Sequence, residues 1–502
     1  MVRDRAWLRT GLGVFLVLMG SYAFFWHSRD WNTASRLMLT YALVDRGSLA
    51  IDGLEDQTGD RAFHEGRYFS DKLPGYPLLA SVPYGLMRYA FGAKPHPLGG
   101  PALAFWPSDY GVTLATSGLL TAATAVVLMG LALDLGASRR AAVLVALTYG
   151  LATPAYVYAT LAYGHQASAF ALLASFALLS RTGTSRDGPR AFAAGLLASY
   201  AAAIELQVGP VSAVLGFFLI AQCVSGARRW DATAAFGVGA LIPALLLLLY
   251  NMLAFGNPFD MGYFHHATAQ FARVHSRENP LGLQGPDWSR VVPLLWGRHR
   301  GLLFYAPILT LAPFGWALLF ARRRWGVAIV SLAATAAVFG VNLSYPEWTG
   351  GWSTGPRLLV PLLPFAMLPV AALLAAPGAR GRVAIVAAAS LGLAGAALML
   401  LFQGVGARLP QDVLDPLIEV VWPLWTGLGA PPRWWTGERF TRTLTGLLAG
   451  PRLTELPATW QWVQFLPLVV FQAAGAAWLL RAGEEPGDER EVQPGDSGEP
   501  VL

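Results

Sequence analysis

Apolar runs of membrane length tile this chain almost end to end, separated by short arginine-bearing connections and four long polar stretches. Roughly 20 apolar residues cross a hydrocarbon core. On that measure spans fall near 7–26, 110–134, 141–160, 166–180, 191–207, 210–226, 232–252, 302–320, 326–344, 357–376, 383–402 and 461–480. The pattern predicts an all-α polytopic membrane protein, a bundle of about twelve transmembrane helices. Two breaks inside long apolar stretches carry helix-interrupting residues, Gly164 beside His165 and Gly209 before Pro210.

Arginine placement orients the bundle, because cytoplasmic loops are enriched in basic residues. With the N-terminus in the cytoplasm, the inner connections are Ser138-Arg139-Arg140, Arg181 to Arg190, Arg228-Arg229, Arg322-Arg323-Arg324, Arg380 to Arg382, and the tail from Arg481. The short turns near Gly164 and Gln207, on the opposite side, hold no Lys or Arg. The outer side then receives 27–109, 253–301, 345–356 and 403–460. Residues 1–483 form one integral membrane domain, and 484–502, acidic and rich in Gly and Pro, are expected to be a disordered cytoplasmic tail. The first apolar segment follows Arg3, Arg5 and Arg9 but lacks a small-residue cleavage site, so it is expected to stay as an anchor.

Pro74 to Gly92 is apolar too. If it crossed, every later arginine cluster would face outward, and it contains Pro83 and Arg88. It is therefore placed as a helix at the outer membrane surface. A second interfacial helix is expected from a cap at Asn32 or Thr33 to Arg46, with Gly47 as its stop and Leu37, Met38, Tyr41 and Val44 as its apolar stripe.

Composition agrees. Of 502 residues, 55% are hydrophobic and 13% charged, and the mean hydropathy is +0.46. A soluble chain carries about 25% charged residues. The net charge of +6 is spread as arginines between apolar segments, so nucleic acid is excluded as a partner. The single cysteine, Cys223, allows no intrachain disulfide.

The spans carry few ionisable residues, Asp134 and Glu205 lying near span ends, and no internal repeat is visible. A transporter needs a polar path and often shows a repeat. Polar density lies in the long loops instead, which points to an enzyme working at the outer interface. In the first loop, Thr58-Gly59-Asp60-Arg61 precedes Ser70-Asp71-Lys72-Leu73-Pro74-Gly75. A cation beside a carboxylate at the membrane surface suits transfer from a lipid phosphate: one neutralises phosphate charge, the other accepts the acceptor's proton. Arg300 and Arg357, each at an outer span end beside glycines, are candidate phosphate ligands. His165, at a hairpin tip, is a further candidate. His265-His266 with Asp260 do not make a metal site, because adjacent histidines diverge. Trp422, Trp425, Trp434 and Trp435 are surface anchors or a sugar-stacking wall. No P-loop, Rossmann fingerprint or Cys-x-x-Cys pair occurs, so no nucleotide site is evident.

A set of short strings resembles the bacterial membrane glycosyltransferases of the GT-C superfamily, in the branch of protein O-mannosyltransferases and the aminoarabinose transferase of lipid A. The strings are Ser35-Arg36 through Asp45-Arg46-Gly47-Ser48-Leu49, Tyr68 to Gly75, Tyr156 to His165, Tyr250-Asn251, Phe255-Gly256-Asn257-Pro258, Arg300 to Pro307 and Gly350 to Arg357. The resemblance implies a sugar donor on a polyprenyl phosphate, an acceptor activated by a carboxylate in the first outer loop, and inversion at the sugar carbon. It also implies a bacterial inner (plasma) membrane location with the site on the periplasmic or extracellular side. Asp71-Lys72 with Pro74 looks like the acidic residue, Lys and Pro of the aminoarabinose transferase, which gives Lys72 to the donor phosphate. The family's Asp-Glu pair after the first span is replaced by Trp31-Asn32-Thr33-Ala34-Ser35. Asp71 and Asp60 are the candidates for the displaced base, with Asp30 third.

The expectation is thus a phospholipid-carrier-dependent glycosyltransferase. It has a polyprenyl-phosphate-linked sugar donor, a lipid, glycan or protein acceptor, membrane lipids as surroundings, no cofactor and no metal. A transporter or flippase of a lipid-linked sugar, or a non-catalytic envelope-assembly protein, are the alternatives. The parity is checked by periplasmic-reporter fusions: activity is expected within 253–301 and silence at Arg380 to Arg382, and the reverse pattern overturns it.

Overall fold

A hydrocarbon environment cannot satisfy free peptide groups, so the apolar runs fold as helices that close their own hydrogen bonds. The computed structural model describes residues 5–94, 106–183, 185–269, 271–428, 440 and 442–481. The proposed tail 484–502 and the pair Trp434-Trp435 lie outside these residues. Seven helices are long and apolar enough to cross a membrane: Pro107–Asp134, Leu206–Val224, Asp231–Phe255, Trp325–Ser344, Arg357–Leu374, Gly378–Val405 and Ala458–Arg481. The other expected spans are shorter, broken or less apolar. They are Trp7–Ala23, Gly164–Leu179, Pro307–Ala321, Asp187–Ile204, and Arg139–Leu151 followed by the single turn Ala155–Tyr158. The chain is an all-α polytopic membrane protein, and among the described residues the one sheet is a two-stranded hairpin.

Four of the arginine-bearing connections touch one another in pairs. Arg181 lies 3.7 Å from Asp134, Arg228 donates to the carbonyls of Leu179 and Arg181, and Arg140 donates to that of Leu480. Close helix contacts need small residues. In the pair Asp187–Ile204 and Asp231–Phe255, a Cβ on Gly195 would lie 2.0 Å from the Phe236 carbonyl oxygen, and one on Gly239 2.0 Å from that of Phe192.

The long polar stretches fold over the other end. Helix Trp31–Arg46 starts at Asp30, not at Asn32 or Thr33. Asp30 Oδ1 accepts from the Thr33 amide at 2.6 Å while Thr33 Oγ1 accepts from the Asp30 amide at 3.0 Å, a reciprocal cap. Asn32 Oδ1 instead accepts from Arg36. Gly47 (φ 60°) ends the helix as expected. The helix is more enclosed than its stripe predicts, with Arg36 and Thr40 buried beside Leu37, Met38 and Tyr41.

The Pro74 to Gly92 segment is helix Gly75–Gly85 and one π turn, Leu86–Ala90. At 1.5 Å per residue this is too short to span a core of ~30 Å. It packs on the 31–46 helix, where Tyr84 and Arg88 both donate to Asp45 at 2.6 Å. Its far side exposes Val82, Leu86 and Tyr89, as an interfacial helix requires.

One element is not legible in the apolar pattern. Strands Arg61–His64 and Arg67–Ser70 pair antiparallel, Arg61 opposite Ser70, around a two-residue turn at Glu65 (φ 46°) and Gly66 (φ 80°). A lone hairpin is marginal in water. Here residues 262–268 brace it: Ala62 bridges to His266, the Ala267 amide donates to Arg61, and Thr268 Oγ1 donates to the Gly59 carbonyl.

Gly239→Ala is expected to force the 187–204 and 231–255 helices apart and to cost about 1–3 kcal/mol, the usual range for overpacking. Thermal unfolding in detergent measures this, with Gly216→Ala, where a Cβ has a 3.9 Å neighbour, as the tolerated control.

Candidate active site

The hairpin and the helix after it fix three of the sequence-predicted residues against one another. Lys72 Nζ donates to Asp71 Oδ2 at 2.6 Å and lies 2.9 Å from Asp60 Oδ2. Asp71 is almost fully enclosed, whereas the Asp60 and Lys72 side chains each keep 13% exposure. Asp71 Oδ1 accepts from Ser35 Oγ at 2.9 Å, and that hydroxyl is 2.7 Å from Ser70 Oγ. On the other oxygen, His266 Nε2 stands 3.5 Å away. His266 Nδ1 accepts from the Thr268 amide at 3.0 Å, so in the neutral ring the proton is on Nε2 and faces Asp71.

Burial by itself would raise the Asp71 carboxyl, but the Lys72 ammonium and His266 hold it below the usual aspartate value. Burial would lower Lys72, and Asp60 and Asp71 more than reverse that. The lysine therefore stays an ammonium at neutral pH. Its charge is already shared between two carboxylates.

A second pair closes beside it. Arg36 Nη2 donates to Glu205 Oε1 at 2.7 Å, and His165 Nδ1 lies 3.6 Å from the same oxygen. His165 sits in the first turn of its helix, edge-on to the rings of Tyr158 and Tyr163.

Arg357 is different. No carboxylate among the described residues pairs with it; its Cζ stands 5.3 Å from the centre of the Tyr163 ring, and its buried Nε has no hydrogen-bond partner. Lys72 and Arg357 both lie within electrostatic range of His165 and of Tyr345. Asp30, the third candidate base, is committed elsewhere. It caps its helix, accepts from the Tyr163 hydroxyl and faces Arg408 at 3.7 Å.

Arg300 does not join this group as a free phosphate ligand. Its Nε, Nη1 and Nη2 donate to the carbonyls of Thr349, His299 and Gly351 at 2.8, 3.0 and 2.9 Å. A guanidinium spent on backbone holds the Gly350 to Arg357 loop in shape, so Arg300 positions Arg357. The adjacent histidines do diverge: His265 Nε2 lies 3.0 Å from Asp260, while His266 turns to Asp71.

Two loops cover the site. The Tyr263 ring lies 5.8 Å from Lys72 Nζ, His275 stacks on Tyr263 at 4.7 Å, and His275 Nε2 is 3.1 Å from the Tyr345 hydroxyl. Gly262 permits this approach, since a Cβ there would lie 2.5 Å from the Ser70 carbonyl oxygen. Asp60, Asp71 and His266 also offer three ligand atoms within 4.8 Å of one another, a set able to hold a cation that the sequence did not suggest. Lys72 Nζ lies against both of those carboxylates, 2.9 Å from Asp60 and 2.6 Å from Asp71.

No protein-family model and no curated protein matches the sequence. Solved structures do match its fold. The oligosaccharyltransferase of Archaeoglobus fulgidus in its apo form aligns with a TM-score of 0.52 at 13% identity, covering 85% of this chain and 58% of that one. AglB from the same organism, with an inhibitory peptide and a dolichol-phosphate, gives 0.51 at 11%, covering 86% and 58%. ArnT from Cupriavidus metallidurans, bound to undecaprenyl phosphate, gives 0.50 at 15%, covering 96% and 77%. The chain has the fold of the GT-C glycosyltransferases. It spans 58% of the length of the archaeal oligosaccharyltransferase chains.

Within this fold, Ser35, Arg36, Glu205, His266, Tyr263 and His275 surround the candidate residues, and sequence reasoning did not select them. Glu205 had a signal, a carboxylate at a span end where charge is expensive. The others converge only through loop folding. Glu205→Ala strands the buried Arg36 and is expected to cost about 3–5 kcal/mol, the range for breaking a buried pair. Asp52→Ala, which removes an exposed partner of Arg67, is expected to cost under about 1 kcal/mol. Thermal unfolding of the two variants in detergent checks the contrast.

Proposed function

We propose that this chain transfers a sugar from a polyprenyl-phosphate carrier to an acceptor on the outer face of a bacterial inner membrane, with inversion at the sugar carbon. The observation that carries the reading is the pairing pattern: Lys72 is held ready by two carboxylates, while the half-buried Arg357 makes no ion pair among the described residues and its buried Nε has no hydrogen-bond partner. A guanidinium held at such a position without a direct carboxylate contact has donors to offer an anion. The carrier phosphate fits, and the undecaprenyl phosphate bound to the ArnT of similar fold belongs to that chemical class.

In this mechanism the acceptor hydroxyl attacks the sugar's anomeric carbon. The bond from that carbon to the phosphate oxygen breaks, and the electron pair stays on the phosphate, whose growing charge Lys72 and Arg357 neutralise. The acceptor proton passes to Asp60. Between the two candidate bases, Asp60 is the reachable one, whereas both Asp71 oxygens are engaged by Lys72, Ser35 and His266. Asp71 then orients Lys72. His165, beside Glu205, lies at the edge of the phosphate space, and Arg300 shapes the loop that carries Arg357. The acceptor is a lipid, glycan or protein hydroxyl, residues 1–483 act as one membrane domain, and both termini lie in the cytoplasm.

The test is transfer of labelled sugar from polyprenyl-phosphate donors in proteoliposomes. Asp60→Asn is expected to lower kcat by about 10²–10⁴-fold, the usual weight of a general base, with carrier binding kept. Lys72→Ala and Arg357→Ala are expected to weaken binding of the carrier itself. Turnover that survives both Asp60→Asn and Lys72→Ala sinks the assignment. Movement of donor across the bilayer without transfer favours a flippase. Chelation with EDTA is expected to leave turnover unchanged, because Lys72 supplies the charge a metal would bring.

A further inference from the structure

Asp30 is passed over as a base because its carboxylate is occupied, and one of its partners leads on to Arg357. Oδ1 accepts from the Thr33 amide at 2.6 Å and caps helix Trp31–Arg46. Oδ2 accepts from the hydroxyl of Tyr163, 133 residues away. Arg408 Nη1 stands 3.7 Å from the same Oδ2, while Arg408 Nη2 donates to Ser28 Oγ at 2.9 Å. Burial by itself would raise the Asp30 carboxyl. Arg408, Tyr163 and Thr33 together hold it below the usual aspartate value, so it is ionised at neutral pH.

Tyr163 carries this anchor to Arg357. Its ring is 1% exposed, stacks on Tyr158 at 5.7 Å and stands at right angles to the His165 ring at 5.7 Å. Arg357 Cζ lies over the ring, 5.3 Å from its centre, within the range of a cation–π contact. Gly350 (φ 72°) leaves room for the arginine stem, since a Cβ there would lie 2.8 Å from Arg357 Cγ. Asp30 is within electrostatic range of the guanidinium without forming an ion pair with it. A long side chain with no ion pair has many rotamers open to it, and fixing one costs entropy. The ring face supplies the direction. A phenol donating to an ionised carboxylate is polarised by that bond, which strengthens its attraction for a cation. A ring contact also leaves free the N–H groups that a direct carboxylate contact would occupy.

We propose that Asp30 and Tyr163 are positioning residues for Arg357: the carboxylate fixes and polarises the tyrosine, and the tyrosine ring aims the guanidinium at the carrier phosphate. This rests on the donor class proposed above. Neither residue gives or takes a proton during transfer. Asp30 thus serves the site through two intermediaries, without touching the reacting atoms.

The experiment combines binding of undecaprenyl phosphate to the purified full chain in nanodiscs with transfer kinetics. Tyr163→Leu removes the ring and is expected to lower carrier affinity about three- to thirtyfold. Asp30→Asn keeps an oxygen for the Thr33 amide and puts an NH2 group where the Tyr163 hydroxyl needs an acceptor. Asp30→Asn and Tyr163→Phe are each expected to lower affinity about two- to fivefold, and together no further, because both break the same bond. In the Arg357→Ala background all three substitutions are expected to lose their effect. Equal losses with and without Arg357 overturn the proposal, since a merely structural pair would give them. Should Tyr163→Leu fail to fold, Asp30→Asn and Tyr163→Phe carry the same comparison. In turnover, Asp30→Asn is expected to lower kcat/KM no more than about tenfold. A fall in kcat of about 10²–10⁴-fold makes Asp30 the base and overturns its positioning role, while the donor class stands. If wild type binds no carrier, the proposed function itself fails and this inference falls with it.

Discussion

A lysine ammonium that keeps little contact with water must be met by carboxylates, and in this molecule two of them converge on Lys72 from different turns of the chain. That demand organises the polar end of the bundle. Asp60 comes from the approach to the hairpin and Asp71 from its exit. Ser35 reaches in from the first surface helix to occupy the spare Asp71 oxygen, and His266 arrives from a loop nearly two hundred residues later to face the other. Removing any one partner leaves buried charge or polarity exposed to a medium that does not solvate it. The lone Cys223 provides no covalent tie between loops, so these ion pairs, hydrogen bonds and ring contacts hold the cover in place.

Buried ion pairs seldom stabilise a fold by much, since desolvation consumes most of their attraction. Their value here lies in a fixed electrostatic field. Arg36, Glu205 and His165 form a closed set, and Lys72 is held by its two carboxylates. Arg357 alone among these cations stands against a tyrosine ring with no counter-ion. The charges are thus fixed by the fold itself, and preorganised dipoles and charges need little rearrangement when they act on a neighbouring group. Arg300 contributes at one remove, by spending its donors on the loop that carries Arg357.

Likeness of fold at 11–15% identity establishes architecture and leaves chemistry to the residues. The chain aligns over its helical bundle and spans 58% of the length of the archaeal oligosaccharyltransferase chain. It also carries no Asp-Glu pair at the start of its first surface helix. Asp30 is nearest to that place and is consumed as a helix cap, with Tyr163 and Arg408 around it. The carboxylates that gather around Lys72 flank the hairpin instead.

The bundle itself was determined by the sequence alone. A membrane core admits only self-satisfied backbone, so apolar length translates directly into helices, and arginine clusters sort their ends. The short Pro74 to Gly92 helix was legible for the same reason, because crossing there would have reversed every later cluster. Asp71-Lys72, Asp60, Arg357 and His165 were legible as charge and polarity beside spans, where it is expensive to keep. What only the tertiary structure decided was pairing. Nothing in the local pattern distinguishes Arg300, tied to three carbonyls, from Arg357, tied to none, since both follow glycines at a span end. The hairpin at Glu65-Gly66 stands because the 262–268 loop braces it, and that contact also brings His266 to Asp71. The pairing of Glu205 with Arg36 depends on which helix ends meet. Partners distant in sequence are chosen by packing, and packing is a property of the folded whole.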